Sequence, residues 1–232
     1  MERLRVSVSV VHRERRLAEL LDGREHERPR LQAAVEDACL LGSLELAGCD
    51  VTWEQVVASR SGAGPAAVVG LRGARGAVDR GAPLSRATLL AWHAALGLTP
   101  PGFRRGPRPE GRQPAGAPPE FIGQRLDLLE GWLSGGADGE LKAAEAGALA
   151  LARLCEIAPF EDGNGRVARL AAAHLMERAG ARPPVLVGGD RARLEESLRR
   201  AFALDTAPLV ELLEEASQRA LDVMLQALAA GR

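Results

Sequence analysis

The chain has 232 residues, 46% of them hydrophobic, which is enough for one packed domain with or without a small helical appendage. Aromatic residues make up only 3% and tyrosine is absent, so the core must be built from Leu, Ala and Val, which favours close-packed helices over a large β-sandwich. A formal net charge of −1 excludes a global basic excess that would bind nucleic acid through counterion release, and no run of eighteen apolar residues exists to span a membrane.

Residues 1–30 are the hardest to read: Val6 to Val10 alternate with serine like a short strand, whereas Leu17 to Leu21 read as helix. The first sixteen residues lack the apolar stretch of a signal peptide. Leu31, Ala34, Val35, Ala38 and Leu41 fall at helical spacing and Gly48 closes that helix. Thr52 and Gln55 form a capping box for the next one. The Gly/Ala/Arg stretch 61–82 resembles a linker, yet Ala66, Val69, Leu71 and Val78 support a glycine-weakened helix. Ser85 caps a helix carrying Leu89, Trp92, His93 and Leu96.

The segment from Thr99 to Pro119 is rich in proline and glycine and must be a loop or a short hairpin, and loops of that length inside compact domains are usually functional. Further helices are expected over 121–133, 140–157, 164–178, 190–203 and 208–229. The expected fold class is therefore all-α, a helical bundle with a functional loop between two long helices. Lys142 is the only lysine, and the arginine-rich, Ala/Gly/Leu-rich composition looks like that of a GC-rich coding sequence. Cys39, Cys49 and Cys155 show no metal-binding spacing and read as reduced thiols, which gives a cytoplasmic expectation.

The chemistry is concentrated in residues 158–169, Ala-Pro-Phe-Glu-Asp-Gly-Asn-Gly-Arg-Val-Ala-Arg. A lone Gly-Asn-Gly is normally just a turn. Here Gly163, Asn164 and Gly165 precede a helix start, where permissive backbone angles let successive N–H groups converge on an anion. Arg166 and Arg169 are three apart and share a helix face, so both can reach a polyphosphate. Asp162 supplies a carboxylate for a magnesium ion bridging phosphates.

The same twelve residues resemble the signature of the Fic (Fido) family, His-x-Phe-x-Asp/Glu-Gly-Asn-Gly-Arg-x-x-Arg, and every specified position matches except the first, where Ala158 stands. The resemblance extends over about residues 31–225, with Gly102-Phe103-Arg104 and Pro118-Pro119 bounding a target-docking flap (102–119). It implies a helical Fic-type domain over 31–232 after an N-terminal segment 1–30. It also implies Phe160 as the loop's core anchor, Asp162 as magnesium ligand, Gly163, Asn164 and Gly165 around the α- and β-phosphates, and Arg166 and Arg169 on the β- and γ-phosphates. Gly165-Arg166 matches the nucleotidyl-transfer branch, whose members move AMP from ATP to a protein hydroxyl. Nucleotide and a target protein are the expected partners, with neither nucleic acid nor membrane.

In that family the motif histidine is the general base, and Ala158 cannot accept a proton. A second family element, an inhibitory helix with Ser/Thr-x-x-x-Glu-Gly/Asn, is best matched within 31–48 by Ser43, Ala47 and Gly48, where alanine again replaces the functional glutamate. Loss of base and inhibitor together reads as natural loss, since an inert enzyme needs no inhibitor. The resulting expectation is an Mg-ATP-binding protein with weak or absent AMP transfer. Two alternatives stand beside it: a nucleotidyltransferase using another base, Glu156 and Glu161 being nearest in sequence, or an inactivated copy of an active AMP-transferase.

Overall fold

In the computed structural model, residues 2–108, 114–133 and 141–230 are described, and side chains from residue 10 onward. Ten α-helices are described: α1 (Glu2–Leu21), α2 (Arg28–Leu46), α3 (Trp53–Ala58), α4 (Ala66–Gly76), α5 (Arg86–Ala95), α6 (Ile122–Trp132), α7 (Ala143–Ile157), α8 (Asn164–Arg178), α9 (Arg191–Phe202) and α10 (Ala207–Ala230). No strand occurs among the described residues, and the fold is all-α.

The centre of the bundle is the antiparallel pair α7 and α8, which packs more extensively than any other described pair. Its buried faces are largely alanine, with Ala144, Ala148 and Ala152 on α7 and Ala168, Ala171 and Ala172 on α8. Small side chains let helix axes approach closely, which offsets the lack of aromatics in filling the core. Leu151, Leu154, Val167, Leu175 and Met176 interdigitate around that contact, and Leu209, Leu212 and Leu213 of α10 close it on one side. The short connection between α7 and α8, residues 158–163, is therefore held by the most rigid part of the molecule.

The start signals at Thr52 and Ser85 are realised. Thr52 and Gln55 form both halves of the capping box, and the Ser85 hydroxyl accepts from Thr88 N–H. The Gly/Ala stretch does form α4 and buries Leu71 as expected, but its other buried residues are Val68 and Ala74; Ala66 is exposed, Val69 is half-buried and Val78 lies beyond the helix. The strand-like alternation near Val6 is overturned, because that segment lies inside α1. Tertiary packing overrides β-propensity there: Leu17 and Leu21 pack with Leu31 of α2 and with Leu221 and Leu228 of α10. Arg13 also clamps both carboxylate oxygens of Asp222 at 2.7 and 2.8 Å.

A buried acid ties α2 to α3 and α4. Asp37 is fully buried, accepts from Arg72 Nη2 at 2.6 Å and pairs with Arg60. Arg72 also donates to Ser59 Oγ and the Val56 carbonyl. Removing one partner of such a set strands the other charge. Asp37→Ala is expected to lower the unfolding free energy by about 3 kcal/mol, read by urea denaturation.

Candidate functional site

The loop from Ala158 to Gly163 is anchored from below. Phe160 is fully buried, as expected of the anchor. Its ring lies flat against that of His93 on α5, with centroids 4.0 Å apart and planes 4° apart, and tilted against Phe103 at 5.4 Å. The Asn164 side chain closes the turn from above: Oδ1 accepts from Phe160 N–H at 2.9 Å and Nδ2 donates to the Phe160 carbonyl at 2.7 Å. Both polar ends of that amide are thus engaged in holding the loop.

Gly163 caps α8 with φ +80°, a left-handed angle that side chains rarely adopt. A Cβ there would also lie 2.4 Å from Leu98 Cδ1. The consequence is a run of unused donors. Among the described residues, the backbone N–H groups of Glu161, Asp162, Gly163, Asn164, Gly165 and Arg166 find no protein acceptor, the first helical bond being Val167 N–H to the Gly163 carbonyl. Successive free N–H groups at a helix start, reinforced by the helix dipole, form an anion-binding concavity.

The two arginines flank this concavity. Arg166 donates to Asp162 Oδ2 at 3.0 Å, and the Asp162 carboxylate is itself 63% exposed. Arg169 donates through Nε to Ser43 Oγ at 2.9 Å and through Nη2 to the Ser43 carbonyl at 2.7 Å. Its Nη1 lies 3.1 Å from where a Cβ on Gly165 would sit. No carboxylate among the described residues pairs with Arg169. Desolvation pushes its pKa down to about 10, and the nearby positive charges of Arg166 and Arg191 push the same way. A half-buried cation without a counter-charge is costly, and an incoming anion would relieve that cost.

Helix α2 thus does pass beside the motif, but Ser43 makes the contact with Arg169, one turn before Ala47. Ala47 caps the C-terminus of α2 and Gly48 follows at φ +80°. Residues four apart share a helix face, so position 47 lies next along the helix from the Arg169 contact.

Ala158 closes α7 in a left-handed conformation, φ 47° and ψ 64°. Alanine is disfavoured there, whereas histidine is among the residues enriched in that region. The backbone at 158 thus holds an angle that suits histidine better than alanine. Ala158 is 0% exposed. Over it lie residues 102–108 and 114–117, which are loop; the middle of the expected hairpin, residues 109–113, lies outside the described residues.

The buried guanidinium of Arg104 staples that segment down. Nε donates to the Ala158 carbonyl at 2.7 Å, Nη1 to Gly106 at 2.8 Å, and Nη2 to the carbonyls of Ala117 and Ile157. Backbone bonds from Arg104 to Pro159 and from Ala117 to Ile157 complete the join. The sequence names Arg104 only as part of the Gly102-Phe103-Arg104 run that opens the flap, and nothing local distinguishes its role from that of Arg105. Arg104→Ala is expected to cost about 3 kcal/mol of stability, and to expose 102–117 to limited proteolysis.

Glu156 is committed to Arg153 at 2.6 Å, while Glu161 is exposed and forms no ion pair among the described residues. His174 is buried and bonds the Ala82 carbonyl at 2.7 Å, away from the motif loop. No group of three His, Cys, Asp or Glu residues that could hold a metal occurs among the described residues. Asp162 alone suits only a magnesium that arrives with phosphates, since that ion is commonly bound by one or two carboxylates plus substrate oxygens.

Residues 83–176, which contain this loop, match the sequence model of the Fic/DOC family. The matched stretch runs from just before α5 to near the end of α8. The protein adenylyltransferase Fic of Drosophila virilis is 32% identical over 102 residues, covering 44% of this chain and 21% of that protein. That of Culex quinquefasciatus is 32% identical over the same length, with 20% of it covered. The match therefore spans about a fifth of these relatives.

Among solved structures, a Fic domain containing signaling protein from Bacteroides thetaiotaomicron superposes with a TM-score of 0.77 at 21% identity, covering 95% of this chain and 97% of that one. Fic-1 from C. elegans gives 0.72 at 22% identity, covering 96% and 73%. At these identities the likeness is one of fold, and it covers nearly the whole chain. No helix among the described residues is long and apolar enough to cross a membrane.

Proposed function

We propose that the chain is a Fic/DOC domain that binds ATP with magnesium at the 161–169 loop, and that it transfers AMP poorly or not at all. The observation that carries the reading is the run of six backbone N–H groups, Glu161 to Arg166, without a protein acceptor. In this reading those amides hold the α- and β-phosphates. Arg166, exchanging its bond to Asp162 for phosphate oxygens, and Arg169 hold the β- and γ-phosphates. Asp162 is then free to hold the magnesium that the nucleotide brings.

None of this uses the side chain at 158. Transfer to a target hydroxyl does need a proton acceptor beside the α-phosphorus, and a buried alanine offers none. Relatives named as protein adenylyltransferases support ATP as the donor nucleotide and a protein as the acceptor. If the unaltered chain nevertheless transferred AMP, the exposed and unpaired Glu161 would be the group to replace first.

Ala47→Glu tests the site through its neighbour. A carboxylate one turn beyond Ser43 would compete with phosphate for Arg169, and ATP affinity is expected to fall about tenfold, measured by titration calorimetry. Unchanged affinity would detach α2 from nucleotide control.

A further inference from the structure

We infer that His93 is a positioning residue that fixes which way the Asp162–Gly163 peptide faces and so aims the Gly163 N–H into the anion site; the inference rests on the nucleotide reading above. His93 sits in the last turn of α5 and is 1% exposed. Its Nε2 lies 3.2 Å from the Asp162 carbonyl oxygen. A carbonyl only accepts, so Nε2 carries the proton and Nδ1 carries the lone pair. That Nδ1 is buried with no hydrogen-bond partner. An apolar residue would fill the same space under Phe160 without stranding a polar atom, so packing alone does not account for an imidazole there.

The geometry supplies a reason. In a planar trans peptide the carbonyl and the next N–H point in opposite directions. Holding the Asp162 carbonyl down against α5 turns the Gly163 N–H away from the core, into the row of free donors. The choice is not made by Gly163 itself. Glycine accepts φ of either sign, so this peptide could flip at little cost and bury its donor instead. Asn164 fixes the turn at Phe160, two peptides earlier, and leaves the Asp162–Gly163 unit free. His93 is the one side chain seen bonded to that peptide among the described residues.

The test compares the full-length chain with His93→Phe, which keeps a flat ring on Phe160 but has no donor, and His93→Gln, which places an amide N–H near the position of Nε2. Binding of ATP with magnesium is measured by calorimetry, and melting temperature by circular dichroism. Loss of one oriented donor is expected to weaken binding about tenfold in His93→Phe, with His93→Gln recovering most of it. Equal affinity in His93→Phe and the unaltered chain overturns the inference, and so does His93→Gln binding no better than His93→Phe. Should either variant fail to fold, the Gly163 amide resonance of the unaltered chain decides: it must shift on addition of ATP with magnesium, and a resonance that stays put while neighbouring amides move overturns the proposal. An unaltered chain that binds no ATP defeats the nucleotide reading itself, and this inference with it.

Discussion

Replacing Ala158 by histidine is expected to raise AMP transfer to a competent target by at least about 100-fold, since a positioned general base contributes roughly 10²–10⁴. The backbone donors proposed for the phosphates are already in place, and the backbone at 158 already holds the left-handed angle that histidine tolerates better than most residues. Space is the opposing term. Ala158 is fully buried, and its Cβ lies 3.4 Å from where a Cβ on Gly116 would sit. An imidazole must push the 114–117 segment aside, at a cost of about 1–3 kcal/mol. The variant should therefore be more active and less stable, shown by labelled-ATP transfer beside a thermal melt. No gain in transfer, with ATP binding intact, would mean that the stapled 102–117 segment still keeps the target hydroxyl out.

Arg169→Met is expected to separate function from stability in the opposite sense. The substitution removes charge-assisted contacts to phosphate worth about 1.5–3 kcal/mol, so ATP affinity should drop by roughly 10- to 100-fold. Folding should not suffer in proportion. Arg169 is a half-buried cation whose hydrogen bonds among the described residues both go to Ser43, and replacing such a charge by an apolar side chain of similar volume is often neutral or stabilising. The pKa direction agrees. Folding lowers the Arg169 pKa to about 10, so its charge opposes folding at every pH below about 10, and the penalty fades only as pH rises from there towards the ordinary arginine value. Arg104→Ala, by contrast, should destabilise, because that guanidinium satisfies four carbonyls at the α7–loop junction. A large loss of stability in Arg169→Met would remove the argument that this arginine is kept for a ligand.

Much of the helical architecture was legible because its signals are local. Apolar spacing marked α2, α6, α8, α9 and α10 to within a few residues, and the caps at Thr52 and Ser85 are side-chain bonds spanning three residues. Where the reading failed, long-range packing decided. Val6 lies in a helix whose later turns rest on α10, more than two hundred residues away in sequence. Within the site, the motif residues were readable as a set, but their division of labour was not. Asn164 spends its side chain on Phe160, and Ser43 rather than Ala47 meets Arg169. The role of Arg104 and the hydrogen bond of His93 were invisible because each joins segments more than fifty residues apart, and neither carries a local pattern.

The most direct test of the nucleotide site is calorimetric titration of the unaltered chain with ATP, with and without magnesium, beside a transfer assay using labelled ATP. The account predicts saturable one-to-one binding that magnesium strengthens, together with little or no label on protein. Absence of saturable binding would contradict the site, and robust labelling of protein would contradict the role assigned to Ala158.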